Sequence, residues 1–168
     1  LGDVYKRQGL LYAGLMLTKD GPKVVEFNCR FGDPETQAVL PMMASSLLEP
    51  MRAIAEGKSI AAMPALQWKS GAAITTVVAA EGYPGTARSG DVITLPPSEA
   101  GVTVFHAGTA RDAQGQLVTA GGRVLAVTAI APTLAEAQAK SRSHAERVQF
   151  TGRQLRRDIG WRELARAR

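Results

Sequence analysis

Three polar side chains alternate along one short segment, and their types could support metal-assisted phosphate chemistry. In the predicted strand KVVEFN, side chains alternate between faces, so Glu26 and Asn28 point the same way. Val25 and Phe27 then face an apolar layer. A carboxylate and an amide oxygen two residues apart suit Mg²⁺ or Mn²⁺, which complete their coordination with water and substrate phosphates. Arg30 continues the polar row, where its guanidinium could hold an anionic oxygen and stabilise charge at a transferring phosphoryl group.

The same spacing has a simpler interpretation, in which Glu26 and Arg30 form an ion pair on an exposed sheet face. The pattern E-x-N-x-R fixes three positions and matches often by chance. From the spacing alone, both interpretations stay open.

A β-hairpin is predicted to carry this row of polar residues. The apolar run Leu10–Leu17 is typical of a buried strand, and Lys19–Pro22 has the composition of a turn. The two strands are therefore expected to pair through a four-residue connection.

Two helices are expected after the hairpin. A helical pattern follows Asp33, and Pro41 is expected to break or kink it. The second helix has the sequence of a capping box, with Ser46 as N-cap and Glu49 reaching back to it, and Gly57 is a natural stop.

The character of the chain changes after a connector at residues 58–70. Four β-branched segments separated by glycine-rich turns are predicted strands, at residues 71–80, 92–95, 102–106 and 123–130. A second capping box, Thr133 with Glu136, opens a helix that is expected to run to about Phe150, helped by a Glu136–Lys140 pair one turn apart.

These elements predict an α/β (α+β) fold in two units. Residues 9–69 would form an antiparallel sheet backed by helices, and residues 70–168 a small β-rich domain with one packed helix. Residues 1–8 have no clear period and are expected to be disordered or foreign to the fold.

Composition narrows the class of protein. The chain has 168 residues, of which 45% are hydrophobic and 21% charged, so it is long enough for a globular core and is neither disordered nor fibrous. No apolar stretch is long enough to cross a bilayer, so no membrane partner is expected. The single cysteine, Cys29, excludes an internal disulfide and fits a cytoplasmic setting.

The net charge of +5 is concentrated near the C-terminus, where residues 140–168 hold nine basic and three acidic side chains. A basic segment could contact nucleic acid, but few aromatic residues interleave with it and no nucleic-acid motif is present. A solvated basic helix face is therefore expected, with His144 solvated on it. His106 has two open interpretations, a general base or a structural histidine between the two units.

A longer string around the polar row resembles a known family. The stretch EFNCRFGDPETQ is similar to the signature of the phosphoribosylamine–glycine ligases (glycinamide ribonucleotide synthetases), which are ATP-grasp enzymes of purine synthesis. Further segments resemble the family in the same order and extend from about Gly9 to Leu164: LYAGLML, GYPG, SGDVI, VFHAGT, GGRVLAVTA, AEAQ and DIGWR.

The resemblance implies specific roles. The family joins glycine to 5-phosphoribosylamine through a glycyl phosphate, using ATP and Mg²⁺ or Mn²⁺ and releasing ADP and phosphate. Glu26 and Asn28 match the metal ligands, and Arg30 matches an arginine that steadies the phosphates. The loop that follows suggests substrate recognition by Asp33, Glu35 and Gln37, although Asp33 could equally cap the next helix.

The resemblance covers only the C-terminal portion of the family. Residues 9–69 would be the C-terminal part of the ATP-grasp domain, and the lid and lysine that cover ATP lie in the missing N-terminal part. The chain is therefore expected to be a fragment with little activity alone. Two alternatives stay open: another ATP-grasp carboxylate–amine ligase or carboxylase, and a non-catalytic remnant or binding module.

Overall fold

The computed structural model describes residues 9–166, so the segment predicted to be foreign, residues 1–8, lies outside the described residues. The strands are β1 (Tyr12–Thr18), β2 (Gly21–Asn28), β3 (Ala72–Ala79), β4 (Val102–His106), β5 (Thr109–Arg111), β6 (Leu117–Thr119), β7 (Arg123–Ala131) and β8 (Gln154–Leu155). The helices are α1 (Glu35–Met42), α2 (Leu48–Ala55), α3 (Leu134–Arg147) and α4 (Trp161–Arg166). This is the predicted mixed α/β fold with antiparallel sheets.

The predicted hairpin is present, but its turn is shorter than expected. β1 pairs antiparallel with β2 from Thr18 opposite Gly21, so Lys19 and Asp20 alone connect the strands and Pro22 lies inside β2. The Thr18 hydroxyl closes the turn, because it donates to the Gly21 carbonyl at 2.7 Å and accepts from the Asp20 amide at 3.2 Å. The predicted four-residue connection was wrong because Gly21 and Pro22 pair with Thr18 and Leu17 as part of β2.

One face of the hairpin is apolar and exposed. Leu15 and Leu17 of β1 share this face with Phe27, and a bulge at Val25 turns Val24 toward the same side. Leu17 is 74% exposed and Phe27 60%. The expectation of a buried strand was therefore wrong for the residues described here, since no other described element covers this face.

Helices α1 and α2 differ at their ends from the sequence prediction. α1 continues through Pro41 and ends one residue later, at Met42. α2 begins at Leu48 after Leu47, which makes no side-chain cap, and the Ser46 hydroxyl accepts from the Leu48 amide instead. The predicted Ser46–Glu49 capping box is therefore wrong, whereas Gly57 follows the helix with φ of +71° as expected.

A four-stranded antiparallel sheet in the order β4-β7-β3-β8 forms the centre of the second unit. Thr75 and Thr128 are cross-strand partners and face α1, whereas Thr76 and Val127 face α3. Helices therefore cover both faces of β3 and β7. The core lies on the α3 side and is formed by the buried residues Val78, Ala80, Ile93, Val124, Leu125, Val127, Ala145 and Val148.

The ends of α3 show one confirmed and one wrong prediction. Thr133 and Glu136 form the predicted capping box, and the Glu136 carboxylate accepts from Thr133 rather than pairing with Lys140. The helix ends at Arg147, three residues before Phe150, and the Arg153 guanidinium donates to the carbonyls of its last turn.

The remaining elements are short. β5 and β6 form a separate two-stranded sheet. Residues 92–95, predicted as a strand, form only isolated bridges, because Thr94 pairs with Gln149 and two prolines follow directly. Among residues 9–166, no helix combines the length and apolarity that spanning a bilayer would require.

Candidate functional site

Glu26 and Asn28 lie on the same face of the hairpin. The register places Glu26 opposite Gly14 and Asn28 opposite Tyr12, and the bulge at Val25 precedes both, so their alternation is regular. A side chain at Gly14 would begin 3.2 Å from Glu26 Cγ. The glycine therefore leaves the surface beside the Glu26 carboxylate open.

The chemistry of this pair fits a hard divalent cation. Glu26 is exposed and makes no hydrogen bond or ion pair within residues 9–166, and the Asn28 amide nitrogen is buried without a partner there. In the same part of the chain, no cluster of three or more His, Cys, Asp or Glu side chains could hold a metal. Two oxygen donors suit an ion that takes its other ligands from water and substrate phosphates.

Arg30 lies two residues beyond β2 and is exposed. Its Nη1 donates to the Phe31 carbonyl at 2.9 Å. Within the described chain it forms no ion pair with Glu26, so the simpler interpretation of the motif as a surface pair finds no support. The Phe31 carbonyl is the one acceptor that its guanidinium contacts among residues 9–166.

Sequence reasoning missed Tyr12. Its pKa is raised by burial of the phenol, then by the nearby Glu35 carboxylate and a hydrogen bond to it, then by Glu26, while Arg30 acts in the opposite direction. Tyr12 and Glu35 therefore bring the hairpin close to the loop that follows β2. The signal was available in the hairpin register, which places Tyr12 directly opposite Asn28.

Gly32 makes this contact possible. It is buried, and an added Cβ would lie 2.7 Å from Glu35 Oε2 and 3.1 Å from Tyr12 Cε2. The carboxylate and the aromatic ring occupy the space that a side chain would need. Of the three predicted substrate-binding residues, Glu35 is thus the one brought beside the hairpin that carries Glu26 and Asn28.

Asp33 connects the loop to the second unit. Its Oδ2 accepts from Arg123 Nη1 at 2.9 Å, its backbone carbonyl accepts from the same nitrogen at 2.8 Å, and its Oδ1 accepts from Gln37 Nε2 at 3.2 Å. Pro34, and not Asp33, is the N-cap of α1, and no side chain caps the helix. The capping alternative for Asp33 is therefore wrong.

The backbone of Gln37 also contacts the sheet. Because Pro41 has no N–H, the Gln37 carbonyl lacks its usual helical partner. Thr128 Oγ1, on the sheet, donates to that carbonyl at 2.8 Å and lies 2.7 Å from Thr75 Oγ1. The Gln37 side-chain oxygen is buried without a partner within the described residues.

The two histidines differ in burial, and the exposed His106 is not packed as the structural interpretation expected. His106 is exposed, with its Nδ1 3.2 Å from Thr109 Oγ1. His144 is 2% exposed, and its Nδ1 lies 3.3 Å from Glu99 Oε2 and 3.0 Å from Arg147 Nη2. The expectation of a solvated His144 was wrong, because α3 turns this position toward the loop that holds Glu99.

Several arginines in the basic C-terminal segment are paired rather than free in solvent. Each has an acidic partner, in the pairs Arg147–Glu99, Arg156–Asp158, Arg157–Glu146 and Arg166–Glu163. This neutralisation favours the interpretation of the segment as a solvated helix face.

A separate apolar cavity of about 920 Å³ lies between α2 and the connector and includes none of the predicted site residues.

Comparison with solved structures defines the class of protein. The phosphoribosylamine–glycine ligase of Thermotoga maritima superposes with a TM-score of 0.76 at 37% identity, over 88% of this chain and 36% of that one. The biotin carboxylase subunit of pyruvate carboxylase shares the fold, with a TM-score of 0.59 at 24% identity over 84% of this chain and 32% of that one. The ATP-grasp domain pattern of phosphoribosylglycinamide synthetase matches residues 2–36, so this is an ATP-grasp protein.

The sequence comparisons identify the family. The C domain pattern of phosphoribosylglycinamide synthetase matches residues 73–162, and the chain belongs to that family. The phosphoribosylamine–glycine ligase of Nostoc sp. is 49% identical over 158 residues, and the trifunctional purine biosynthetic protein adenosine-3 of Gallus gallus is 51% identical over 159 residues. The matched regions are 92% and 94% of this chain, but 37% and 16% of those proteins. The resemblance seen in the sequence is confirmed.

Proposed function

We propose that this chain supplies the metal-binding half of the active site of a phosphoribosylamine–glycine ligase. The reaction would join glycine to 5-phosphoribosylamine with conversion of ATP to ADP and phosphate. The observation that carries the proposal is the shared face of Glu26 and Asn28 on a strand inside the family's ATP-grasp match. The rest of the enzyme would come from the N-terminal part that the longer relatives contain, and the setting would be cytoplasmic.

The roles of the side chains follow from their positions. Glu26 and Asn28 would hold Mg²⁺ or Mn²⁺, and a bound divalent ion would offset the charge of the nucleotide phosphates. Arg30, at the end of the same strand, would hold an oxygen of the phosphoryl group that moves from ATP to the glycine carboxylate. Exclusion of water would then protect the glycyl phosphate until the amine attacks it.

The loop after the strand would recognise the substrates. Glu35 lies near Tyr12 beside the hairpin and is suited to contact a substrate amine or hydroxyl. Asp33 and Gln37 bind each other and the second unit, and so would contribute by fixing the shape of the loop.

Manganese binding tests the metal pair on this chain directly. Paramagnetic Mn²⁺ should broaden the amide NMR signals around Glu26 and Asn28, and Glu26→Gln should remove most of that broadening. Glu49→Gln is the matched control, because Glu49 is an exposed carboxylate on α2. Absence of selective broadening in the wild-type chain would contradict the metal site.

The reaction requires a longer enzyme. When this chain is joined to the N-terminal part of the Nostoc sp. ligase, ADP formation should depend on both glycine and phosphoribosylamine. Glu26→Gln should reduce the rate by two or more orders of magnitude, whereas Glu49→Gln should not change it. If the joined enzyme forms no ADP above background with both substrates, the proposed reaction is wrong.

A further inference from the structure

The Tyr83 side chain holds Arg123, the residue of β7 that contacts the Asp33–Gln37 loop. Tyr83 lies in residues 80–91, which follow β3 and are called the tyrosine loop below. Arg123 Nε donates to the Tyr83 hydroxyl at 2.7 Å, and the guanidinium carbon lies 5.9 Å from the centre of the Tyr83 ring. The proposed ligase reaction assigns no role to Tyr83.

The tyrosine loop is closed at its base by backbone hydrogen bonds to neighbouring segments. The Ala80 amide donates to the Gly122 carbonyl at 2.9 Å, and the Thr119 amide donates to the Asp91 carbonyl at 2.9 Å. An ion pair also closes the loop, because Arg88 Nη2 lies 2.9 Å from Asp91 Oδ1 and the Asp91 side chain is only 8% exposed. A loop tied down at both ends has few alternative conformations, so its tip is held in a fixed place.

Gly122 provides the surface on which the Tyr83 ring packs. An added Cβ at Gly122 would lie 2.5 Å from Tyr83 Cδ2, which is too close for any side chain. The ring therefore contacts the backbone of the residue that directly precedes Arg123. This packing brings the Tyr83 hydroxyl to Arg123 Nε.

Contacts at two nitrogens fix the orientation of the Arg123 guanidinium. Tyr83 accepts from Nε, and Nη1 donates to the Asp33 carboxylate and to the Asp33 backbone carbonyl, at 2.9 and 2.8 Å. Because the guanidinium is planar and rigid, contacts at two of its nitrogens restrain its rotation. Without the Tyr83 hydroxyl, Asp33 would be the one remaining hydrogen-bond partner of this guanidinium among residues 9–166. The position at which Arg123 holds Asp33 therefore depends on Tyr83.

We propose that Tyr83 is a positioning residue of the ligase: its hydroxyl fixes Arg123, and Arg123 sets the loop from which Glu35 contacts substrate. The inference rests on the proposed function, because that function gives the Asp33–Gln37 loop its part in substrate recognition. Tyr83 acts through Arg123 and not on the substrate. The tyrosine loop thereby couples the four-stranded sheet, which carries neither of the proposed metal ligands, to the reaction.

NMR spectroscopy of this chain tests the positioning without the reaction. Tyr83→Phe keeps the ring on Gly122 and removes only the acceptor. The Arg123 Nε–H proton should then exchange with water about tenfold faster, and the amide signals of Asp33 and Glu35 should shift. Ser89→Ala is the matched control, because it removes an exposed hydroxyl of the same loop that has no hydrogen-bond partner among the described residues. Unchanged exchange and unchanged loop signals in Tyr83→Phe, or equal changes in both variants, would overturn the inference.

Kinetics of the joined enzyme separate positioning from a general loss of structure. Tyr83→Phe should lower kcat/KM for glycine and for phosphoribosylamine about tenfold, because the loop proposed to recognise them is displaced. The KM for ATP should stay unchanged, since the nucleotide phosphates are assigned to the metal held by Glu26 and Asn28. Ser89→Ala should change none of these values. An equal rise in the KM for ATP would indicate a general structural defect and would overturn the positioning role.

A double-mutant cycle tests whether Tyr83 acts through Arg123. Arg123→Ala should lower kcat/KM for glycine at least as much as Tyr83→Phe, and addition of Tyr83→Phe to Arg123→Ala should cause no further loss. Losses that multiply would show that Tyr83 acts on the substrate directly, which would overturn the inference.

The two sets of measurements distinguish this inference from the proposed function. An active joined enzyme that is unaffected by Tyr83→Phe would overturn the inference alone. A wild-type joined enzyme without the ligase reaction would overturn the proposed function. In that case the NMR response of Asp33 and Glu35 to Tyr83→Phe would still show whether Tyr83 positions the loop.

Discussion

Arg123 of β7 holds Asp33, in the loop after β2, through one nitrogen atom. Arg123 Nη1 donates both to the Asp33 carboxylate and to the Asp33 backbone carbonyl, at 2.9 and 2.8 Å, across 90 residues of sequence. The same guanidinium is held by the Tyr83 hydroxyl. The conformation of the loop after β2 therefore depends on Arg123, the first residue of β7.

Removal of this guanidinium should loosen the loop. Arg123→Ala should lower the free energy of unfolding by about 1 kcal/mol, since the contacts are charge-assisted but partly exposed. Urea unfolding measures the change, and limited proteolysis should cut residues 29–37 faster. Arg157→Ala removes an exposed arginine paired on the surface and should change neither measurement. Equal losses in the two variants would contradict a specific role for Arg123.

The Thr128 hydroxyl replaces a hydrogen bond that Pro41 removes from α1. Thr128→Val should lower the free energy of unfolding by about 1–3 kcal/mol, because the part-buried Gln37 carbonyl would lose this donor. Thr103→Val is the control, since Thr103 is the exposed partner of Thr128 on β4. Denaturant unfolding of both variants should show a loss for Thr128 alone.

Two similar sequences, T-L-A-E and S-L-L-E, should respond differently to loss of the hydroxyl. Thr133→Ala removes a complete capping box and should lower the free energy of unfolding by about 1 kcal/mol. Ser46→Ala removes one local hydrogen bond from the Leu48 amide. It should lower the free energy of unfolding by only about a few tenths of 1 kcal/mol. Thermal unfolding of the two variants measures the difference, and a larger effect at Ser46 would contradict the structure.

Stability should depend on the Glu99 carboxylate in acid. Its pKa is lowered by the hydrogen bond from His144 and then by Arg147. A folded-state pKa below the unfolded value of about 4.3 stabilises the protein above that pH, and the stabilisation disappears as the pH falls through the folded value. The wild type should therefore exceed Glu99→Gln in stability at pH 5.5, and the difference should shrink toward pH 3.

A control variant separates Glu99 from general effects of acid. Glu163→Gln changes an exposed carboxylate that pairs with exposed Arg166, so its difference from the wild type should be small at every pH. Urea unfolding between pH 3 and pH 5.5 measures all three proteins. A constant difference between the wild type and Glu99→Gln across this range would contradict the predicted linkage.

The Tyr12 phenol should report on Glu35. The pKa of Tyr12 lies above its ordinary value of about 10, first through burial and then through the Glu35 carboxylate. Glu35→Gln removes the negative charge, so the pKa of Tyr12 should fall toward 10. A ¹³C-tyrosine NMR titration measures it, with the signal assigned by Tyr12→Phe. An unchanged pKa would show that the two side chains do not interact.

Local patterns predicted the features that depend on neighbouring residues. The alternation of β2 predicted the common face of Glu26 and Asn28, and the Thr133 capping box was correct because all its partners lie within one turn. The same reasoning failed at Ser46. Helix α2 begins at Leu48, two residues after Ser46, and the Ser46 hydroxyl accepts a hydrogen bond from the Leu48 amide.

The sequence alone did not predict the long-range contacts. The partners Asp33 and Arg123, and likewise Gln37 and Thr128, are about 90 residues apart, and nothing local marks one as the partner of the other. The metal role of Glu26 and Asn28 and the substrate roles of Asp33, Glu35 and Gln37 remain predictions, because the geometry supplies the donors and only binding can identify the ligand.

The Thr128–Gln37 bond also limits how the enzyme can move. Together with the Asp33 contact it fixes the first turn of α1 to the middle of the sheet, through one part-buried and one exposed hydrogen bond. The loop that follows β2 and the sheet that contains β7 should therefore move as one rigid body. Any hinge motion of the chain is therefore expected outside the contact between α1 and the sheet.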